Sequence, residues 1–211
     1  MKTSIDYQQE GFLTKFNQVK LVSGSPRRLE LLSYLDPEIS LNEIDERSIE
    51  DHYMDLYEDD PFVERAAKTC CEISKAKLDL AIEPSTLYIA ADTIVICQEK
   101  IYNKPEDAAE AYAMLRSYFG RSHQVVTSVC LKAEDFLDVF YTLTEVTFVS
   151  YYEQLEAAIQ AYVDSGLPLD KSGAYGIQEL DPRFVASICG DIHTVIGLPV
   201  AEVNQRIFNR H

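Results

Sequence analysis

The segment Ser23-Gly24-Ser25-Pro26-Arg27-Arg28 lies between a short apolar run and a predicted helix. The preceding residues 19–22, Val-Lys-Leu-Val, have the length and the branched side chains of a buried strand end. After the segment, leucines recur at helical spacing, while Pro26 suits the first helical position and Ser25 suits the N-cap. The sequence therefore predicts a strand, a tight turn and a helix start.

This predicted turn is also a candidate site for an anion. Backbone N–H groups and the positive end of a helix dipole converge at such a turn. Arg27 and Arg28 add two planar, permanently charged groups that match phosphate oxygens. A capped helix with solvated arginines fits the segment equally well. Ser23, Ser25, Arg27 and Arg28 are therefore candidate phosphate-binding residues that need support from elsewhere in the chain.

The composition is that of a globular protein. The chain has 211 residues, of which 46% are hydrophobic and 26% are charged. No apolar run approaches the roughly 20 residues that span a bilayer, and the N-terminus lacks the apolar core of a signal peptide. The five cysteines form no C-x-x-C pair. An odd number of unpatterned cysteines indicates reduced thiols, so we expect a cytoplasmic protein.

The net charge is strongly negative. There are 35 acidic and 19 basic residues, which gives −16. Such a surface repels nucleic acid and anionic membranes, so neither is an expected partner. A small anionic ligand remains compatible with this charge, because one part of the surface can be locally basic. The acidic segment 38–60, in which Arg47 is the only Lys or Arg, is expected to be a solvated face.

Apolar patterning predicts an α/β protein. Residues 1–18 form a polar leader and residues 19–211 a single domain, with a turn-rich acidic stretch at 36–60. The predicted strands after residue 60 are 88–97, 123–133 and 138–149, with shorter signals around 174–178 and 183–189. The predicted helices after residue 60 are 61–81, 106–117, 153–163 and 199–209. Strands that alternate with helices indicate an α/β fold, and a hairpin across 120–150 indicates a mixed sheet.

Two carboxylates are candidate site residues, Asp92 as a metal ligand or a general base and Glu46 as a metal ligand. Asp92 interrupts an apolar strand, where a carboxylate is unfavourable unless it meets a cation or lies at an open strand end. Glu46 is a candidate second carboxylate, because Mg²⁺ usually takes one or two together with phosphate oxygens and water. Each residue also has an interpretation without a metal ion. Asp92 could instead form hydrogen bonds with a neighbouring loop, and Glu46 could be a solvated surface side chain.

Further polar residues could complete a nucleotide site. Lys75 and Lys104, taken with the two arginines, supply enough positive charge for a triphosphate. In the segment Asp170-Lys-Ser-Gly-Ala-Tyr-Gly-Ile-Gln178, two glycines allow a close approach of the backbone to a ligand. The side-chain amide of Gln178 can form hydrogen bonds with a base or a ribose. A hairpin in which this amide finds its hydrogen-bond partners within the protein fits the sequence as well. His123 and His193 have no partner at metal or triad spacing.

Several of these motifs occur in an order that resembles one known family. They are Ser23-Gly-Ser-Pro-Arg-Arg, Asp45-Glu-Arg, Lys75-Ala, Ala91-Asp-Thr-Ile-Val, Lys104-Pro, Gly120-Arg-Ser-His, Val126-Thr, Asp170-Lys-Ser-Gly-Ala-Tyr-Gly-Ile-Gln and Gly197-Leu-Pro. Together they resemble the Maf family of nucleoside triphosphate pyrophosphatases, formerly called septum formation proteins. The resemblance covers about 19–208, and the number and order of the motifs make it specific.

The resemblance implies a fold and a reaction. The fold would be an elongated, two-lobed α/β fold with a mixed sheet, like that of inosine triphosphate pyrophosphatases, with the active site in the cleft between the lobes. The reaction would be hydrolysis of a nucleoside triphosphate to the monophosphate and pyrophosphate, which removes non-standard or excess nucleotides. The expected cofactor is a divalent metal ion, Mg²⁺ or else Mn²⁺ or Co²⁺. The resemblance also implies a homodimer.

The resemblance assigns roles to individual residues. Asp92 matches the catalytic acidic residue and Glu46 its companion carboxylate. The phosphate-binding positions are Arg28, Lys75 and Lys104, and the segment around Lys171 adds to substrate binding. The positions linked to substrate choice are Arg27, Thr93 and Gln178. Arg27 after Pro26 resembles the branch that acts on dTTP and UTP, with CTP as a further candidate, whereas the 7-methyl-GTP branch usually carries an aromatic residue there.

The chain also departs from the family pattern. Leu167 stands where a Glu is common, and the other departures are Ser172, Glu179 and Thr194. The stretch between Glu46 and Lys75 is longer than in the pattern. Leu167, Thr194 and the longer acidic stretch keep open the alternative of a nucleotide-binding regulatory protein with weak catalysis. A separate alternative is a protein-interaction module that acts through the acidic segment 38–60.

Overall fold

The computed structural model describes residues 4–209. Residues 1–3 of the predicted leader and residues 210–211 of the predicted domain lie outside the described residues. Within the described part, no helix is both long enough and apolar enough to cross a membrane. Strands and helices alternate along most of the chain, so the predicted α/β class is confirmed.

Eight strands are described. They are β1 (Ser4–Gly11), β2 (Gln18–Val22), β3 (Glu38–Ser40), β4 (Thr86–Cys97), β5 (Lys100–Tyr102), β6 (Ser122–Ala133), β7 (Phe136–Phe148) and β8 (Val185–Cys189). The described helices are α1 (Pro26–Leu31), α2 (Glu46–Leu56), α3 (Phe62–Ala76), α4 (Ala108–Tyr118), α5 (Glu156–Asp164), α6 (Ile192–Ile196) and α7 (Val200–Phe208).

The strands form one mixed sheet in the order β1-β7-β6-β4-β2-β3. Strand β2 pairs in parallel with β3 and with β4, and Leu21 lies opposite both Ile39 and Ile89. Strand β1 pairs with β7 in the antiparallel direction, as β5 does with β4 and β8 with β7. The predicted mixed sheet is therefore confirmed. In the parallel β2–β4 pair, the predicted turn follows the end of β2, and Asp92 lies within β4.

The chain divides into two compact units. Among the described residues, the first unit contains 4–92, 127–142 and 197–209, and the second contains 93–126 and 143–196. Each unit has its own apolar core. The first core includes Leu21, Leu32, Ile89, Leu131, Phe140, Leu198 and Val203. The second core includes Leu115, Tyr118, Phe148, Ile159 and Phe184.

Two local predictions were wrong. The stretch 36–60 was predicted as turns, but it forms β3 and α2. The side chain of Asp45 caps α2 by accepting a hydrogen bond from the Ser48 backbone N–H at 3.0 Å, and the acidic first turn suits the helix dipole. The strand predicted at 174–178 is absent from the described structure. Gly173 and Ala174 have φ angles of 72° and 60°, which interrupt an extended chain.

The polar leader also contains regular structure. Residues Ser4–Gly11 form β1, and Ser4 lies opposite Thr142 on β7. The buried guanidinium of Arg206 on α7 reinforces this edge, since it contacts Asp6 on β1 and lies 2.9 Å from Asp138 on β7. The division into a leader and a single domain stays a prediction.

The second unit buries a histidine within its aromatic core. His123 is 2% exposed, and its Nε2 atom lies 2.7 Å from the hydroxyl of Tyr175. Its ring packs against Tyr118 and Phe148, and its Nδ1 atom has no hydrogen-bond partner among the described residues. Burial lowers the pKa of His123 from 6.5 to about 3, because the charged ring loses its hydration. The histidine therefore stays neutral in the folded protein at physiological pH.

This histidine predicts an acid-sensitive fold. Between the two pKa values the unfolded chain binds a proton that the folded chain does not, so stability decreases as the pH falls below 6.5. From about pH 7 to about pH 5, we expect His123 to remove about 2 kcal/mol from the free energy of unfolding. Urea unfolding at both pH values measures this loss. In His123→Gln, the decrease in the free energy of unfolding between these pH values should be smaller than in the wild type by about 2 kcal/mol. The control His52→Gln, at an exposed position, should show the wild-type decrease. The same decrease in all three proteins would contradict the prediction.

Candidate active site

The turn after β2 has the geometry that the sequence predicted. Ser25 is the N-cap of α1, and its hydroxyl accepts the backbone N–H of Arg28 at 3.5 Å. The backbone N–H of Ser25 donates to the hydroxyl of Ser23 at 3.1 Å. Helix α1 has only six residues, so the full charges of Arg27 and Arg28 outweigh its partial dipole charge. The two serines therefore shape the turn and the arginines give it charge.

Arg28 is held in place by the chain itself. Its Nε atom donates to the carbonyl oxygen of Gly197 at 2.8 Å, and its Nη1 atom donates to Ser23 Oγ at 3.4 Å. Burial lowers the pKa of Arg28, and the negative charge of Asp92 opposes that effect. Arg27 is also half-buried, in the first turn of α1, and its positive charge further lowers the pKa of Arg28. An oriented, partly dehydrated guanidinium is suited to bind an anion.

Asp92 lies on β4 with both carboxylate oxygens in contact with the protein. Its side chain is 12% exposed, and Oδ1 lies 2.8 Å from the ammonium of Lys77. Oδ2 accepts a hydrogen bond from the thiol of Cys70 at 3.4 Å. The carboxylate in the apolar strand therefore meets a cation, as the sequence argument required.

Lys77 connects the two carboxylates that were predicted to bind metal. It follows α3 directly, and its Nζ atom lies 3.0 Å from Glu46 Oε1 as well as 2.8 Å from Asp92 Oδ1. Glu46 is the first residue of α2, and its side chain is 55% exposed. Sequence reasoning missed Lys77. The available signal was a second lysine two positions after Lys75.

Charge sets the protonation of this cluster. Burial raises the pKa of Asp92, but the nearby ammonium of Lys77 and guanidinium of Arg28 outweigh burial and hold that pKa below its usual value. Burial lowers the pKa of Lys77, but Asp92 and Glu46 outweigh that effect and raise it. At neutral pH, Asp92 is therefore an ionised carboxylate and Lys77 a charged ammonium.

Lys75 has different partners. Its ammonium lies 3.0 Å from Glu72 Oε1 and 5.7 Å from the centre of the Tyr7 ring. Glu72 also accepts a hydrogen bond from the Tyr7 hydroxyl. Within the described residues, Lys75 forms its ion pair with Glu72 rather than with Asp92 or Glu46. The predicted phosphate-binding role of Lys75 stays a prediction.

The other predicted site residues belong to the second unit. Thr93 follows Asp92 on β4 and is half-buried, while Lys104 precedes Pro105 and is exposed. Gln178 is exposed in the segment after Gly176. The structure therefore gathers Arg28, Glu46 and Asp92 in the first unit, and the roles assigned to Thr93, Lys104 and Gln178 stay predictions.

Lys171 is built into its own loop. It is 4% exposed, and its ammonium donates to Leu167 O at 2.6 Å and to Asp170 Oδ1 at 2.8 Å. A third acceptor, Glu179 Oε2, lies 2.9 Å away. Lys171 therefore contacts residues on both sides of the stretch 172–178, which includes Gln178. These contacts support a structural role for Lys171, and its predicted direct contact with substrate stays a prediction.

The Lys171 contacts predict a loss of stability on substitution. Lys171→Met removes the shared donor from three acceptors, and we expect the free energy of unfolding to fall by about 2 kcal/mol. The exposed Lys100→Met is the matched control and should change it by no more than about 0.5 kcal/mol. Urea unfolding of both variants measures the difference. A Lys171→Met variant as stable as the control would contradict the structural role.

The carboxylate pair fits a divalent metal ion. Glu46 Oε1 and Asp92 Oδ1 both contact one atom, Lys77 Nζ, so the two carboxylates are neighbours, although the position between these two oxygens is taken by the ammonium. Carboxylate oxygens are the ligands that Mg²⁺ prefers, and phosphate oxygens and water commonly complete its shell. No group of three or more His, Cys, Asp or Glu side chains suited to a metal occurs in the described part of the chain. The donors present therefore suit an ion that also binds the phosphates of a ligand.

Comparison with known proteins identifies the family of this chain. The sequence pattern of the family described as "Maf-like protein" matches residues 18–209. A dTTP/UTP pyrophosphatase of Aliivibrio fischeri is 36% identical over 189 residues, which cover 89% of this chain and 95% of that protein. A dTTP/UTP pyrophosphatase of Bacillus velezensis is 40% identical over 182 residues, covering 86% and 90%. One from Thermosipho africanus is 35% identical over 195 residues, covering 92% and 93%.

The match extends over both units. It begins at the first residue of β2 and ends just after α7, so it includes the turn with Arg28, the strand with Asp92 and the Lys171 segment. Each of the three relatives is covered over at least nine-tenths of its length. The chain is therefore a member of the Maf family.

Proposed function

We propose that this protein hydrolyses nucleoside triphosphates to the monophosphate and pyrophosphate, with dTTP and UTP as preferred substrates. The proposal rests on one cluster of charged side chains. Lys77 forms ion pairs with both Asp92 and Glu46, and the charge of Arg28 helps to lower the pKa of Asp92. This cluster combines an ionised carboxylate with fixed positive charges, which pyrophosphate release requires. The names of the three relatives support the choice of dTTP and UTP.

In the proposed reaction, the turn of Ser23 to Arg28 receives the phosphates. Arg28 presents a guanidinium whose Nε atom is already fixed on Gly197 O, so little side-chain freedom is lost on binding. Asp92 either accepts a proton from the attacking water or holds the metal ion, and both roles need the ionised form. Water attacks the α-phosphorus, and pyrophosphate leaves. When bound by Asp92 and Glu46, a divalent ion would supply charge neutralisation at the phosphate oxygens.

Electrostatic preorganisation is the main source of rate acceleration in this proposal. Negative charge develops on the phosphate oxygens as pyrophosphate leaves, and positive groups held in place stabilise it without reorganising. Lys77 is such a group, because two carboxylates and the Ala91 carbonyl oxygen fix its ammonium. We assign Lys77 to charge stabilisation and to the orientation of Asp92.

Further parts of the proposal concern partners and location. The net charge of −16 supports a protein that does not bind nucleic acid. We propose a cytoplasmic location because the sequence has unpatterned cysteines, four of which are buried. A homodimer rests on the family resemblance alone, and gel filtration with light scattering tests it.

A substrate panel tests the proposed function. The purified chain is incubated with dTTP, UTP, CTP, ATP, GTP or 7-methyl-GTP and with Mg²⁺, Mn²⁺ or Co²⁺, and pyrophosphate release is followed. We expect multiple turnovers, fastest with dTTP and UTP. Preference for 7-methyl-GTP would assign the other branch of the family. Saturable nucleotide binding without turnover under every metal would instead indicate a regulatory nucleotide-binding protein.

A further inference from the structure

The two oxygens of the Asp92 carboxylate have different donors. Oδ1 faces the ammonium of Lys77 at 2.8 Å, and Oδ2 faces the thiol of Cys70 at 3.4 Å. Cys70 lies on α3 and is fully buried, and the proposed reaction does not use its thiol. A buried thiol directed at the central carboxylate therefore lacks a role.

The direction of this hydrogen bond follows from the chemistry of the groups. An ionised carboxylate only accepts hydrogen bonds, so the thiol of Cys70 is the donor to Asp92. Ser128 on β6 lies behind the thiol, with its Oγ atom 3.2 Å from Cys70 Sγ. The hydroxyl of Ser128 donates to the carbonyl oxygen of Cys70 at 2.7 Å, so its own proton is used there. The single thiol proton then goes to the stronger acceptor, which is the carboxylate.

We propose that Cys70 is a positioning residue, and that its thiol fixes the plane of the Asp92 carboxylate by holding Oδ2. This inference rests on the proposed function, in which Asp92 acts on water or metal. The terminal torsion of an aspartate has broad minima, so one contact at Oδ1 leaves the plane free to turn. A second contact at Oδ2 removes that freedom, and Ser128 in turn fixes Cys70.

The kinetic consequence should appear in kcat. Small misplacement of a reacting group slows the chemical step strongly, whereas the phosphates of the substrate bind to other groups. Cys70→Ala is therefore expected to lower kcat about tenfold and to leave KM within about twofold of the wild type. Cys70→Ser retains a donor with a shorter reach, and it should recover most of the loss.

The neighbouring cysteine provides a matched control. Cys71 is also fully buried on α3, and among the described residues its thiol is not a partner of Asp92. Cys71→Ala removes the same atoms from the interior, so it should lower stability to a similar extent and leave kcat unchanged. A wild-type kcat in Cys70→Ala would overturn the proposal. Equal losses of kcat in both alanine variants, or no recovery in a folded Cys70→Ser, would also overturn it.

Infrared spectroscopy tests the hydrogen bond without any turnover. The S–H stretching band of Cys70 is isolated as the difference between the wild type and Cys70→Ala, or Cys70→Ser if the alanine variant does not fold. Asp92→Asn replaces the carboxylate by a weaker, neutral acceptor, so the band should move to higher frequency. An unmoved band would overturn the proposal. If the wild type hydrolyses no nucleotide but the band moves, the proposed function fails while the contact stands.

Discussion

Replacement of Asp92 by Asn is expected to lower kcat for pyrophosphate release about 10³-fold, because the variant has neither the base nor the charge that the reaction needs. Asn keeps the size and shape of the side chain. Lys77 keeps Glu46 and the Ala91 carbonyl oxygen as partners, so the fold should survive. Steady-state kinetics with dTTP and circular dichroism measure the two effects.

The control for this variant is Asp135→Asn, which makes the same chemical change in an exposed turn between β6 and β7. It should retain wild-type turnover. A folded Asp92→Asn variant that releases pyrophosphate as fast as this control would remove Asp92 from the reaction.

Lys77→Met is expected to lower kcat/KM for dTTP about 10²-fold, which is the usual effect of removing one fixed electrostatic contact. The substitution keeps a long, flexible chain but leaves Asp92 Oδ1 and Glu46 Oε1 without their shared ammonium. Repulsion between the two carboxylates then opposes the arrangement that binds substrate. Kinetics over a range of dTTP concentrations separate the change in kcat from the change in KM.

Lys68→Met on α3 is the control, since Lys68 pairs with Asp60 and Glu64 at the surface. Lys75→Met, measured beside it, decides between the two neighbouring lysines. The structure predicts the larger loss at Lys77. A loss at Lys75 that exceeds the loss at Lys77 would support the assignment that the family motif suggested.

The sequence was informative where apolar patterning was strong. Strand β4 was predicted because eight of its residues are apolar around Asp92 and Thr93 within 88–97, and the turn before α1 was predicted from Pro26 and Ser25. Helix α2 was missed because its carboxylates obscure the weak apolar pattern. Strand β1 was missed because it is an edge strand with mostly polar side chains, held by β7 and by Arg206.

The contacts of Lys77 and Cys70 with Asp92 could not be predicted from the sequence, and the reason is physical. Two residues that are two positions apart differ by about 200° around a helix axis, so Lys75 and Lys77 face nearly opposite directions. A motif cannot show which of them faces β4. The contact of Cys70 with Asp92 joins residues that lie 22 positions apart, on a helix and a strand. Such a contact depends on packing, which apolar periodicity does not encode.

The position of water attack distinguishes hydrolysis at the α-phosphorus from attack on the other phosphates. The purified enzyme is incubated with dTTP in water enriched in ¹⁸O, and both products are analysed by mass spectrometry. We expect the label to enter dTMP and pyrophosphate to stay unlabelled, since water attacks the α-phosphorus. Label in pyrophosphate, or release of orthophosphate in place of pyrophosphate, would contradict it.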